Sequence, residues 1–155
     1  MIIGLGNRLM TDDAVGLEAL ITFQQRFAVP DGVDLLDGGT LGLDLLPHME
    51  DYRNILIADC VTVGHPPGTL LQVEGEDVSI TFSRCLSPHQ MGLKDLIAVL
   101  ELQGRLPERL TVLGVEPESI ELGLQLSATV AAALPRLVDA MARVLGEWGL
   151  APTAH

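Results

Sequence analysis

The chain has 155 residues, enough for one domain with one sizeable core. It is 48% hydrophobic but only 3% aromatic, so the interior must be built mostly from Leu, Val, Ile and Ala. The formal net charge is −12, with Lys94 the single lysine among nine basic residues; such a surface repels phosphate backbones and anionic lipid and argues against nucleic acid or membrane as partner.

No apolar run reaches the roughly 18 residues that a bilayer span needs. No basic n-region precedes a long apolar stretch at the N-terminus, as a secretory signal would require. Two cysteines, Cys60 and Cys85, make no disulfide framework, and the expected compartment is the cytoplasm. Residues 1–150 read as one domain, and Ala151–His155 as a frayed tail.

Met1–Leu5 predicts a short first strand. Thr11 has the character of an N-cap, opening a helix whose apolar residues Val15, Ala19, Phe23 and Phe27 recur every four positions. "VDLLD" predicts a second strand ending at Asp37, "GGT" a turn, and "LGLDLLPHME" a helix that Pro47 should end or kink. "NILIADCV" is a continuous apolar run, as expected for a parallel strand covered on both faces.

A Pro-Pro-Gly loop leads to a fourth strand, "GTLLQV", and "LTVLGVEP" predicts a fifth. Between them "GLKDLIAVLEL" places Leu93, Leu96, Ile97 and Leu100 at i, i+3, i+4 and i+7 of a helix. The last helix is expected from Ser127 toward Trp148, with Val130, Leu134, Val138, Met141 and Leu145 as its stripe and a bend at Pro135. Alternating strands and helices predict a three-layer α/β/α domain around a twisted, mostly parallel sheet of about five strands.

The opening "MIIGLGNRLMTDDAVG" has the strand, glycine turn and helix of a phosphate site, yet Leu9 stands where a dinucleotide fingerprint needs its third glycine. Asp12 and Asp13 oppose a phosphate by charge, although two acids at a helix start also complement its dipole. Ligands of open α/β sheets collect beyond the carboxyl ends of the strands. Asp12 and Asp13 follow the first strand, Asp37 ends the second and Asp59 ends the third, so four acids are expected on one edge.

In "CLSPHQMG", Ser87 and Gln90 have capping-box spacing with Pro88 at the first helical position. His89 then lies in a helix's first turn, whose partial positive charge disfavours imidazolium; a neutral imidazole is what a metal ligand must be. One His nitrogen with two carboxylates suits a borderline divalent ion such as nickel or zinc. Cys60, beside Asp59, reads as a small buried hydrophobe. His48, His65 and His155 have no evident partners.

The ordered set "GLGNRLMTDDAVG", "LLDGGTLGLDLL", "ILIADCV", "GHPPGTL", "SPHQMGLKDL" and "GVEPESIELGLQLS" resembles the maturation endopeptidases of [NiFe] hydrogenases from residue 2 to about residue 145. The resemblance implies an enzyme that removes the C-terminal extension of a hydrogenase large-subunit precursor after nickel insertion. It implies metal contacts at Asp13, Asp59 and His89, with nickel brought by the substrate; zinc fits the same donor types. It also implies that Asp37 serves cleavage and that Gly38, Gly39 and Thr40 serve substrate docking. The first strand is shorter than is usual in that family. No H-E-x-x-H and no G-x-S-x-G is present. The competing expectation is a non-catalytic nickel-sensing chaperone for the immature large subunit; a nucleotide-binding domain is disfavoured by the missing glycine.

Overall fold

The structure is a computed structural model that describes residues 1–84 and 91–155. Its main sheet has five strands: β1 (Ile2–Leu5), β3 (Leu35–Gly39), β4 (Asn54–Cys60), β5 (Leu70–Glu74) and β6 (Arg109–Val115), in the order β3–β1–β4–β6–β5. β3, β1, β4 and β6 run parallel, and β5 lies antiparallel on the edge beside β6. The expected mostly parallel α/β/α domain is therefore present.

Alternation along each strand sorts the core into two layers. Ile2, Leu56, Ala58, Cys60 and Leu113 face one side. There they meet α1 (Val15–Arg26) and α5 (Ala128–Glu147), which pack against each other. Ile3, Ile55, Ile57 and Val112 face the other side. That face is covered by Leu45 and Met49 around α2 (Leu46–Met49), Val78 and Phe82 of α3 (Glu76–Ser83), and Leu93, Leu96, Ile97 and Leu100 of α4 (Met91–Leu102). The α4 stripe is the one its sequence spacing predicts. Each fully buried Leu or Ile contributes roughly 1.5–3 kcal/mol, which is how a core so poor in aromatic rings can hold.

Several expectations need correction. Thr11 is not an N-cap: it lies inside a 3-10 turn, Thr11–Ala14, at φ +51°, and its hydroxyl donates to the Glu121 carbonyl. β3 runs two residues past Asp37, because Gly38 and Gly39 continue the pairing with β1 through a register shift. Pro47 neither ends nor kinks a long helix. It stands in the first turn of the short α2, after a 3-10 turn at Gly42–Leu45, where its missing N–H costs nothing.

Two residues of the tail pair with the chain after α1. Thr153–Ala154 forms β7, paired antiparallel with β2 (Phe27–Ala28), and the His155 amide donates to the Arg26 carbonyl. No helix among the described residues is long and apolar enough to cross a membrane.

Candidate active site

The glycines of the first turn explain why the phosphate grammar fails. Gly6 adopts φ +137°, and a Cβ there would lie 1.8 Å from the Asp13 carbonyl oxygen. The turn is thus packed against the chain's own helix start. The close helix–strand approach assigned elsewhere to a third fingerprint glycine is made by Gly16, inside α1. A Cβ at Gly16 would sit 2.2 Å from the Ala58 carbonyl oxygen and 2.5 Å from that of Leu5. This contact draws the start of α1 onto the ends of β1 and β4, and with it Asp13 toward Asp59.

Asp12 and Asp13, adjacent in sequence, part company in space. Asp12 is fully buried and accepts from the amides of Glu118, Ser119 and Ser127 and from the Ser127 hydroxyl, at 2.7–2.9 Å. Asp13, 6% exposed, accepts from the Asn7 amide at 2.9 Å and lines a cleft of about 300 Å³.

Asp59 lies in the same cleft, at the carboxyl end of β4 and on the α4 side of the sheet by alternation with Ile55 and Ile57. It is 5% exposed and accepts from the Cys60 amide at 2.7 Å. Burial, and then the charge of Asp13, hold its carboxyl well above the usual carboxylate range. Cys60 turns to the opposite face, into the α1–α5 core, as the sequence suggests. Burial, together with the surrounding acids, pushes its thiol up, and a protonated thiol there is an inert hydrophobe.

The cleft also takes in Leu5 at the end of β1, Asn7 and Met10 from the turn after it, Gly39 at the end of β3, Thr40 and Leu45 beyond it, and Leu93 and Leu96 of α4. Of the docking residues expected from the sequence, Gly39 and Thr40 therefore line it. Gly38 instead packs under the turn, where a Cβ would lie 2.7 Å from Leu5 Cδ2. Asp37 is exposed and paired with Arg8 Nη2 at 3.0 Å; Arg8 also reaches Glu18 at 3.5 Å. His89 lies outside the described residues. Among those residues, no three His, Cys, Asp or Glu side chains are grouped so as to hold a metal ion; Asp13 and Asp59 bring two carboxylates.

Two further residues carry the site and were not singled out from sequence. Asn7 supplies the amide that fixes Asp13. Glu116, 6% exposed, takes the Val63 and Gly64 amides at 3.1 and 3.3 Å and so pins the Gly/Pro-rich loop that follows Asp59. Glu116 did carry a signal, since an acid closes the apolar run "LTVLGV" just as Asp59 closes "ILIA".

The same α/β fold is found in solved hydrogenase maturation endopeptidases. The solved hydrogenase maturating endopeptidase HybD from E. coli superposes with a TM-score of 0.92 at 36% identity, covering 99% of this chain and 96% of that one. The family model for hydrogenase maturation proteases matches residues 18–144, and the chain belongs to that family.

It is 38% identical over 151 residues to the hydrogenase 2 maturation protease of Escherichia coli (strain K12), across 97% of this chain and 92% of that protein. It is 34% identical to the hydrogenase expression/formation protein HupD of Rhizobium leguminosarum bv. viciae, across 100% of this chain and 78% of that one. The solved [NiFe] hydrogenase maturation protease HybD from Thermococcus kodakarensis gives a TM-score of 0.75 at 28% identity, with 92% and 96% covered. The chain is a hydrolase acting on a peptide bond.

Proposed function

We propose that this peptidase removes the C-terminal extension of a [NiFe] hydrogenase large-subunit precursor in the cytoplasm once nickel has been inserted, and that it reads the substrate's nickel through Asp13, Asp59 and His89. The observation that carries the reading is the convergence of Asp13 and Asp59, two nearly buried carboxylates from different elements, in one cleft at the strand ends. In sequence, His89 falls two residues before α4, whose Leu93 and Leu96 line that cleft. Burial and the charge of Asp13 raise the proton affinity of Asp59, and closing on a neutral peptide does nothing to relieve either. A divalent cation with open positions turns that repulsion into attraction. The nickel-loaded precursor thus gains binding energy that the empty one lacks.

Gly39 and Thr40 border the cleft as a rest for the substrate backbone. Water is activated by the substrate's ion or by a carboxylate base, for which Asp37 is the candidate; serving as base would require it to leave Arg8. The test is a paired digestion of nickel-loaded and nickel-free precursor, followed by mass spectrometry, with Asp37→Asn as a second arm. Cleavage of the loaded form alone is expected. Equal cleavage of both would sink nickel reading, and full activity of Asp37→Asn would remove Asp37 from the chemistry.

A further inference from the structure

We propose that Asp12 is a positioning residue for Asp13: it fastens the loop between β6 and α5 to the turn 7–13 and thereby aims the Asp13 carboxylate into the cleft. Its effect on turnover rests on the reading above that Asp13 acts on the substrate; its effect on geometry does not.

Every hydrogen bond found for the Asp12 carboxylate comes from far along the chain. Oδ2 accepts from Glu118 N and Ser119 N at 2.9 Å each and from Ser127 Oγ at 2.9 Å; Oδ1 accepts from Ser127 N at 2.7 Å. The main chain repeats the link. Asp12 N donates to the Ser119 carbonyl at 3.1 Å, Thr11 N to that of Gly123 at 3.0 Å, and Gly123 N to that of Leu9 at 2.9 Å. Met10 and Gly123 form an isolated parallel bridge. Thr11 holds φ +51°, a conformation that a residue with a Cβ keeps only when its surroundings over-determine it.

On the cleft side the same turn closes on itself. Asn7 N donates to Asp13 Oδ2 at 2.9 Å, Met10 N to the Asn7 carbonyl at 3.1 Å, and Asp13 N to the Met10 carbonyl at 3.1 Å. Asn7, Met10 and Asp13 all line the cleft. The turn therefore has one face bonded to the 118–127 segment through Asp12 and another that presents Asp13. Releasing the first face frees the second.

Position 12 needs a carboxylate, since four donors converge on two acceptor oxygens. An asparagine keeps one acceptor oxygen and turns an NH2 toward donors, so Asp12→Asn breaks part of the cluster with little change in volume.

The test compares Asp12→Asn with Asp13→Asn and with Val144→Ala. Val144 is fully buried in the α1–α5 core, on the face of the sheet away from the cleft, and reports a general loss of stability. The first readout is the Asn7 backbone amide by NMR, because that proton is donated to Asp13 Oδ2. In Asp12→Asn it should move toward its position in Asp13→Asn and exchange faster, while Val144→Ala leaves it in place. The second is precursor cleavage: kcat should fall by about 10²-fold in Asp12→Asn, the size expected of roughly 1 Å of misplacement. KM should change less, and Val144→Ala should keep kcat.

An unmoved Asn7 amide in Asp12→Asn overturns the proposal, as does a kcat equal to that of Val144→Ala. Full activity of Asp13→Asn would instead overturn the role given to Asp13, and the Asn7 amide would still decide the geometry. Should Asp12→Asn not fold, Ser127→Ala removes one of the four donors; the Asn7 amide should then move the same way by less, and no movement counts against the proposal.

Discussion

Replacing Gly16 by alanine isolates the contact that brings the two acids into one cleft. The new methyl would lie 2.2 Å from the Ala58 carbonyl oxygen and 2.5 Å from that of Leu5. Both are backbone atoms of paired strands and cannot rotate aside. α1 must therefore retreat by about 1 Å to reach ordinary van der Waals separation. Overpacking costs about 1–3 kcal/mol, toward the upper end where backbone must move. Removing a glycine from a helix interior returns about 1 kcal/mol. The balance is a loss of about 1–2 kcal/mol, or roughly 2–8 °C in Tm for a domain of this size.

Activity should suffer more than stability. Asp13 is carried by the turn that leads into α1 and Asp59 by β4, so a 1 Å retreat separates them and about 10²-fold in kcat is expected to go. Gly146→Ala is the matched control: it is also inside a helix, and its Cβ would meet nothing nearer than the Ala151 methyl at 3.9 Å. It should gain up to about 1 kcal/mol. Thermal melts followed by circular dichroism, with precursor cleavage alongside, test the pair. If Gly16→Ala stabilises as Gly146→Ala does, the close approach of α1 to Ala58 and Leu5 is refuted.

Asp59→Asn should stabilise the fold at neutral pH while ending precursor cleavage. The folded state holds the Asp59 proton above the pH at which the unfolded chain releases it, so wild-type stability falls as pH rises through that window, and the gain on substitution should vanish below about pH 4; a gain that persists in acid would contradict the sign. Deleting residues 151–155 removes the exposed β2–β7 pair and should lower stability by about 1 kcal/mol or less, since a few exposed backbone bonds barely outweigh the entropy of ordering the tail. A larger loss in urea unfolding would mean that the tail supports α1.

Much of the sheet was legible because its central strands are covered on both faces. "ILIA" and "LTVLGV" read as apolar runs closed by an acid, and α4 shows its stripe outright. The direction of β5 was not legible, since its local pattern is the same whichever way it pairs with β6. The segment 76–83 mixes Val78, Ile80 and Thr81, which favour strands, with an acidic first turn that favours a helix. β2 and β7 exist because α1 ends beside the tail, a tertiary fact with no local signature.

At the site, Asp13 and Asp59 were legible as acids placed after strands. The separate task of Asp12 was not, because its partners lie 106–115 residues away. Asp37 reads as a strand-end acid, but β3 runs on to Gly39, and nothing local shows that Arg8 would meet Asp37 outside the cleft.

Among the described residues, the buried acids Asp12, Glu116 and Asp59 fall into two kinds, and the difference sets what each can do. Asp12 and Glu116 are surrounded by amide and hydroxyl donors, and each ties a loop at the strand ends to its neighbour. Asp59 has a different setting. Its burial and the charge of Asp13 both oppose ionisation, and the Cys60 amide is the one influence that favours it. A strand-end carboxylate held this way costs stability at neutral pH, and no packing argument accounts for its position, because an asparagine would fill the same space. The cost falls at the place where a cation would reverse its sign. Strain of this kind persists where the surrounding structure over-determines it. Here Gly16 brings the start of α1 against the ends of β1 and β4, Asp12 locks the turn from the side opposite the cleft, and Glu116 holds the loop behind Asp59. These contacts confine two carboxylates to a single cleft and so hold Asp59 beside Asp13 although burial and that neighbour both oppose its ionisation.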